Sequence, residues 1–447
     1  MIKRIASLIF LLATAPVWAQ DSLQVLTFKQ AVQTALRNNL TLNQNRNTLF
    51  QTQTQKTSGI ASLGPQVYIS GGASQSTGNR FIQSTGQLTT ATSKNLNAAF
   101  NAQMPVFNGF QYVNNMRSYN STNNAQMELI KRSNQDVINL VSTQYLQVLL
   151  DQELLIIAKE NVDVLRKQLD QIKAQVEVGS RSPVDEYNQQ ALVNNAEITM
   201  VQAEYALVND KITLYQTMLE EPSNDSRFEE PAWDINTIAL DNVGLPELQT
   251  VAAENRSDLK QAKYVEQSSR YAMQATKGNY FPSISAYYAY GSSYNDIEGE
   301  QLSDFKTQVK NENKYETFGL SFNIPIFMAF QNRAIYARSK VLYENNKLAT
   351  RNREVIVKSD VLRAFENFNN IKKNYMASSN GLEASKVAFD LEQERYNLGI
   401  TSFVDLANAN KTLVQAQTNM AQAKYRFLFQ KIMLDYATGT LRIEDLP

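Results

Sequence analysis

The chain is 447 residues long and carries 43 basic and 43 acidic side chains, for a formal net charge of zero. With no clustered basic excess it offers no electrostatic footprint for nucleic acid. It contains neither cysteine nor histidine, which excludes disulfides, thiolate zinc sites, iron–sulfur ligation, a lipid-modified N-terminal cysteine, Ser-His-Asp chemistry and HExxH-type metal sites.

The first element is an address. Lys3-Arg4, an apolar run from Ile5 to about Val17, and Val17-Trp18-Ala19 before Gln20 have the order of a secretory signal peptide, 1–19. The run falls short of the roughly 20 residues that a spanning helix needs, and no later stretch reaches that length either. Cleavage would remove Lys3 and Arg4 and leave a mature charge of about −2. An exported, cysteine-free chain with no helical anchor is the expectation.

Glycine and proline are scarce, at 16 and 10, and unevenly spread. Residues 106–182 hold no proline and only Gly109 and Gly179, whereas the neighbourhoods of 59–109 and 278–319 hold most of the glycine. Long stretches free of helix breakers therefore alternate with short β-like stretches.

A helix is predicted over 27–61, followed by strands within about 65–106. Leu96, Ala98, Phe100, Ala102, Met104 and Val106 alternate with Asn95, Asn97, Ala99, Asn101 and Gln103, the period of a two-faced strand. Its partner is read at Pro65–Ala73, with 75–94 as a polar connection. A helix of about 70 residues follows over 107–178, about 105 Å long at the usual rise. Gly179 stands where a C-terminal cap belongs. Ser182-Pro183-Val184-Asp185 then reads as an N-cap, a first-turn proline and an acidic N3 residue. The chain returns as a second helix over 183–219, closing a first repeat, 20–219.

The same order recurs after a linker, 220–245. At an offset of 217, Ala35, Leu42 and Pro65 fall on Ala252, Leu259 and Pro282; at 220, Pro105, Phe107, Phe110, Gln111, Gly179, Ser182, Val184 and Asp185 fall on Pro325, Phe327, Phe330, Gln331, Gly399, Ser402, Val404 and Asp405. The second repeat, 246–438, is thus a helix to about 279, strands within about 282–325 (upstream Pro282–Tyr294, polar connection 295–314, then Phe318, Leu320, Phe322 and Ile324 alternating), a long helix 327–398 and a return helix 403–438. A tail, 439–447, completes the chain. Heptad spacing of Val162, Leu165, Leu169, Ile172 and Val176, and of Leu406, Ala409, Leu413, Ala416, Met420, Ala423 and Phe427, makes each hairpin coiled-coil-like.

Strands apolar on one face and rich in Asn, Ser and Thr on the other suit a membrane β-barrel. An ordinary half-buried sheet is the alternative. Tyr287, Tyr288, Tyr290 and Tyr294 are candidates for an interfacial girdle. One chain supplies four strands, fewer than the eight a bacterial barrel requires, so the barrel must be shared; two copies or three satisfy that minimum.

The duplicated order of helix, two strands and helical hairpin, with the turns Val178–Asp185 and Leu398–Asp405, resembles the TolC-like outer-membrane efflux proteins over essentially the whole mature chain. The resemblance implies a fold that is mainly α with a small membrane β part. It implies a homotrimer whose twelve-stranded β-barrel continues into a twelve-helix periplasmic α-barrel about 100 Å long, with 220–245 and the C-terminal residues in an equatorial belt. It implies a passive exit duct of a tripartite efflux pump or type I secretion system, set in outer-membrane lipid and docked to a periplasmic adaptor and an inner-membrane pump.

Residue by residue, Asp405 matches an acidic position ringing the closed periplasmic mouth, and Asn408 stands where such members carry a second acid. Tyr396 and Asp185 match a pair that latches neighbouring helices, while Thr401 replaces an arginine of that latch. Gly179, Ser180, Arg181 and Ser182, with Gly399, Ile400, Thr401 and Ser402, form the tips expected to meet the adaptor. Asp185 and Asp405 also have a sufficient role as helix caps. Nucleotide-binding, Walker and EF-hand patterns are absent, so no cofactor, metal or catalytic residue is assigned and transport energy must come from a partner. A non-transporting structural coiled-coil protein of the envelope is the competing reading, and a carboxylate-based hydrolase a remote third.

Overall fold

The computed structural model describes residues 25–83, 86–222, 226–231 and 244–446. The segment read as a signal peptide and most of the 220–245 linker lie outside the described residues. In chain order the elements are β1 (Val25–Leu26), α1 (Phe28–Asn38), α2 (Leu40–Ala61), β2 (Gln66–Ile82), β3 (Gln87–Phe107), α3 (Gln111–Glu177), α4 (Pro183–Met218), β4 (Arg227–Phe228), α5 (Leu245–Asn255), α6 (Ser257–Lys277), β5 (Ser283–Ile297), a one-turn α7 (Phe305–Thr307), β6 (Tyr315–Asn323), α8 (Gln331–Asn397) and α9 (Phe403–Thr438). The protein is mainly helical. The bounds of α3 and α4 shifted by 220 are those of α8 and α9.

Five features differ from expectation. The first helix of each half is two helices, broken at Asn39 and Arg256, whose ψ values of 123° and 109° are extended. Asn39 turns the break into a cap by accepting from Leu42 N at 3.0 Å. Arg256 is buried there instead, in an ion pair with Asp258 at 2.7 Å. The long helices start at 111 and 331 because Phe110 and Phe330 adopt left-handed backbone at φ 62° and 61°. Finally, the polar connection 75–94 is mostly strand: β2 and β3 pair without interruption from Gln66↔Gln103 to Ile82↔Gln87. Thr, Ser, Asn and Gln on both faces hide the alternation there, while backbone pairing does not depend on side-chain polarity.

The sheet order is β2-β3-β5-β6, all antiparallel, and β1 and β4 form a separate parallel pair, too short to be expected from periodicity. Beside the sheet, α3 packs against α2 and α6, and α6 against α8. Toward the hairpin tips, α3 packs against α4 and α9, and α9 against α8. The helical wall is therefore four helices across at either level, with α8 on one edge and α2 or α4 on the other.

The main core sits at the waist, where Phe28, Val141, Tyr145, Leu149, Leu214, Met218, Phe228 and Leu428 are buried together. Burying apolar side chains of this size contributes roughly 1.5–3 kcal/mol each. The Tyr145 hydroxyl lies 2.8 Å from the carbonyl oxygens of both Leu26 and Glu229, fastening β1 and the segment after β4 to α3. Leu441 and Leu446 of the tail join the same core. Within the first hairpin, Val162, Leu165 and Leu169 pack on Val193 and Ala196, the heptad face read from the sequence.

Candidate functional site: the strand wall and the hairpin tips

Register assigns every strand residue to a face, because residues directly opposite each other share one. One face carries Val67, Ile69, Leu96, Phe100, Ala102, Tyr288, Tyr290, Phe318, Leu320 and Phe322. The other carries Ser70, Asn97, Asn101, Gln103, Ser285, Ser293, Thr317 and Ser321. Phe318, Leu320 and Phe322 are 82%, 66% and 75% exposed. A continuous exposed apolar face of this kind requires a non-aqueous neighbour.

Aromatic rings mark both ends of that face. At the helix end, Phe107 meets Phe110 and Phe327 meets Phe330 edge to face, with ring centroids 5.6 and 6.0 Å apart. Farther along it stand Tyr288, Tyr290 and, toward the far end, Tyr294, the last packed on Phe305 at 5.2 Å. Tyr287 does not belong with them: it is opposite Gln103 and Gly319, on the polar face. Of the four tyrosines expected to form a girdle, three share the apolar face, because adjacent strand residues point to opposite sides.

Past the end of β6, the upper edge of β5 is closed by a side chain. Gln308 accepts from Asn295 N at 3.0 Å and donates to Asn295 O at 2.9 Å, reproducing a ladder pair where β6 has stopped. Among the described residues, the outer edges of β2 and β6 have no strand partner. The helical edges below them expose apolar side chains as well, including Phe50 of α2, Ile198, Val201 and Tyr205 of α4, and Leu348, Val355 and Leu391 of α8.

The two tips share one backbone design. Ser180 N bonds Gln175 O and Gly179 N bonds Val176 O, both at 2.9 Å; Ile400 N bonds Arg395 O at 2.9 Å and Gly399 N bonds Tyr396 O at 3.0 Å. These are Schellman turns, and Gly179 and Gly399 take the left-handed position at φ 74° and 71°. The caps differ in their side chains. Ser402 and Asp405 form a full reciprocal capping box, whereas the Ser182 hydroxyl accepts from Val184 N without one.

Around the second tip, Asp405 accepts from Ser402 Oγ at 2.6 Å and from Thr401 Oγ1 at 3.2 Å, and these bonds hold its carboxyl below the usual range. Thr401 also donates to Glu392, which pairs with Arg395 at 3.0 Å. Tyr396 is buried and its hydroxyl has no hydrogen-bond partner. The Arg181 guanidinium lies 4.3 Å from the Tyr396 ring centroid. Burial raises the pKa of that phenol, opposed by the Arg181 guanidinium and reinforced by a smaller upward contribution from Asp185. The structure thus brings together Asp405, Thr401 and Ser402, and separately Tyr396, Arg181 and Asp185. Asn408 lies apart, on a cavity of about 750 Å³ between α8 and α9 beside Gly381, Ser385 and Lys411.

Two features were not singled out from sequence: Arg181 as the partner of Tyr396, and two strand glycines, Gly291 and Gly319. Only the glycines had a local signal, since glycine inside a strand marks a bulge or a close approach. Asp151, expected with Glu153 and Glu160 on a solvated or tunnel-facing side of the long helix, is instead buried against the neighbouring helices. Among the described residues no helix is long and apolar enough to cross a membrane, and no group of three or more acidic side chains gathers as a metal site.

The family model described as "Outer membrane efflux protein" matches residues 31–218 and 248–440. The outer membrane protein TolC of Vibrio cholerae is 23% identical over 321 residues, covering 70% of this chain and 69% of that protein. The outer membrane efflux protein BepC of Brucella suis is 22% identical over 350 residues, covering 76% and 71%. Among solved structures, CusC superposes with a TM-score of 0.80 at 16% identity, covering 92% of each chain.

Proposed function

The chain belongs to the outer membrane efflux protein family, and from that premise we propose that it is the passive outer-membrane duct of a tripartite efflux or type I secretion machine. The observation that carries the reading is the continuous pair of unlike edges, β2 with α2 and α4 on one side and β6 with α8 on the other. Unlike edges join head to tail and, when the rotation closes, make a ring. Four strands per copy require at least two copies for a barrel. An eight-stranded barrel is about filled by its own side chains, so a duct favours three copies and twelve strands. The same three copies would place twelve helices around the tunnel at each level. The coincidence of α3 and α4 with α8 and α9 under one shift supports a duplicated unit as the origin of that near-symmetry.

The hairpin tips then lie farthest from the membrane. Their Schellman turns project Ser180, Arg181, Ile400 and Thr401 for contact with a periplasmic adaptor and, through it, an inner-membrane pump. Asp185, Tyr396, Thr401, Asp405 and Asn408 are proposed to govern the opening there, with Arg181 supplying the guanidinium that position 401 lacks. Light scattering coupled to size exclusion on detergent-extracted protein tests the assembly. A particle of three mature chains that conducts ions in planar bilayers is expected. A monomer, or recovery of the protein in the soluble periplasm, overturns the duct and leaves the structural envelope protein.

A further inference from the structure

On the polar face of the wall, two tyrosines lie opposite two glycines in rows of the same strand pair that are separated by the Ala289–Thr317 row. Tyr287 of β5 is opposite Gly319 of β6, and Gly291 of β5 is opposite Tyr315 of β6. The rings do not stand off the sheet. A Cβ added at Gly319 would meet the Tyr287 hydroxyl oxygen at 2.8 Å and its Cζ at 2.9 Å. One added at Gly291 would meet the Tyr315 hydroxyl oxygen at 2.7 Å and Cζ at 2.8 Å. Each phenol therefore lies across the neighbouring strand, in space that exists only because that strand lacks a side chain there. Glycine inside a strand costs stability, which a covering aromatic ring partly restores.

We propose that Gly319 and Gly291 fold the phenols of Tyr287 and Tyr315 flat against the inner wall of the shared barrel, and that this sets the bore through the outer membrane. This inference rests on the duct reading, since the polar face is the lumen only in a closed barrel. Two rings from each copy line that face, in rows four residues or about 13 Å apart along the strands. With a side chain at the glycine positions they would point toward the axis, where the largest solute passed is decided by pore radius. A purely structural Tyr–Gly pair would change stability when altered but leave the bore alone.

The absence of native cysteine permits a direct test. Ser321 lies on the same face as Gly319, two residues nearer the helices, so a Cys at 321 is reached from outside only past both tyrosines. Intact cells carrying Ser321→Cys are treated with membrane-impermeant maleimide-polyethylene glycols of rising mass, and the largest that reacts is recorded. Adding Gly319→Val is expected to lower that limit about twofold in mass. Adding Tyr287→Ser to the Val variant is expected to restore the limit or exceed it. Gly319 is chosen because only a phenol must move, whereas the Ala98 carbonyl oxygen stands 2.8 Å from a Cβ at Gly291. Size exclusion checks that each variant remains assembled. Equal limits in the three assembled proteins would overturn the inference while leaving the duct intact. A Ser321→Cys protein unreactive from outside at every size, yet reactive with a lipid-soluble maleimide, would overturn the duct as well.

Discussion

The Arg181 guanidinium covers the ring of Tyr396 at 4.3 Å from its centroid, so the turn of the first hairpin is tied to the end of the long helix of the second. The phenol hydroxyl has no hydrogen-bond partner, so the tie belongs to the ring and not to the oxygen. A cation over an aromatic face is worth about 0.5–1 kcal/mol when exposed and about 2 kcal/mol when desolvated. If this contact holds the periplasmic mouth closed, Arg181→Ala and Tyr396→Ala each raise the open fraction roughly two- to tenfold, while Tyr396→Phe leaves it unchanged. The double variant opens no further than either single one. Single-channel recording in planar bilayers reads all four; a Tyr396→Phe protein as open as Tyr396→Ala would assign the latch to the hydroxyl instead.

Asp405 is built into its own helix start. Its carboxylate accepts from Ser402 Oγ, Ser402 N and Thr401 Oγ1, and those bonds hold its pKa below the ordinary range. A carboxyl lowered in the folded state stabilises above its unfolded value, and that contribution fades as pH falls through the folded one. The cap should therefore remain ionised throughout about pH 5–8, and channel current across that window should not follow Asp405. Asp405→Asn retains acceptors for the two hydroxyls and is expected to keep the tip folded. Asp405→Ala should fray the first turn of α9, visible as faster hydrogen exchange at Val404–Leu406. A current that titrates in the wild type and not in Asp405→Asn would contradict this.

Much of the duct's outline was legible because it repeats. Gly179 and Gly399, Ser182 and Ser402, and the alternation around Phe100 and Phe322 each follow from local chemistry that needs no distant partner. Less legible were features that depend on tertiary meetings. The breaks at Asn39 and Arg256 fall inside otherwise good helix patterns, and the Arg256 break is held by Asp258, Asp360 and Ala437, the last two distant in sequence. The upper halves of β2 and β3 are polar on both faces, so periodicity could not find them. Sequence places Arg181 only at the tip expected to meet the adaptor; it is the second hairpin that brings Tyr396 beneath it.

The Arg256 junction carries a stability prediction. Its guanidinium is 2% exposed, pairs with Asp258 at 2.7 Å and Asp360 at 3.2 Å, and donates to Ala437 O at 3.0 Å. Burial alone would push the Asp258 carboxyl up, but the Arg256 hydrogen bonds and charge outweigh it and hold the carboxyl below its usual value. Removing one partner of a buried pair leaves the other uncompensated, at a cost of about 3–5 kcal/mol. Arg256→Leu is therefore expected to lower the thermal midpoint substantially, followed by circular dichroism in detergent. Arg256→Lys should recover only part of the loss, because an ammonium cannot reproduce the forked contact. Acid should narrow the gap between wild type and Arg256→Leu from the carboxylate range downward. In the variant, burial raises the Asp258 carboxyl so that it takes a proton early, whereas in the wild type Arg256 holds it ionised to below its usual value.

Asp151 makes the opposite prediction. It is buried on α3 with Oδ2 lacking a hydrogen-bond partner, and Gln147 donates to Oδ1 at 3.0 Å. Burial first, then the neighbouring carboxyl of Asp210 on α4, pushes its pKa up to about 7. The unfolded chain releases this proton near the ordinary aspartate value, so between about pH 4 and pH 7 the folded state binds more protons than the unfolded one. Stability attributable to this site must then fall as pH rises through that window and level off above it. Asp151→Asn keeps the Gln147 partner and cannot ionise. It is expected to unfold at a higher temperature than wild type at about pH 8, with the advantage shrinking toward about pH 4. Asp210→Asn should give a smaller gain in the same direction, since it removes the second carboxyl but not the burial. A constant difference between Asp151→Asn and wild type across the whole range would mean that Asp151 does not titrate in the window, and that its burial is matched by a partner other than a proton.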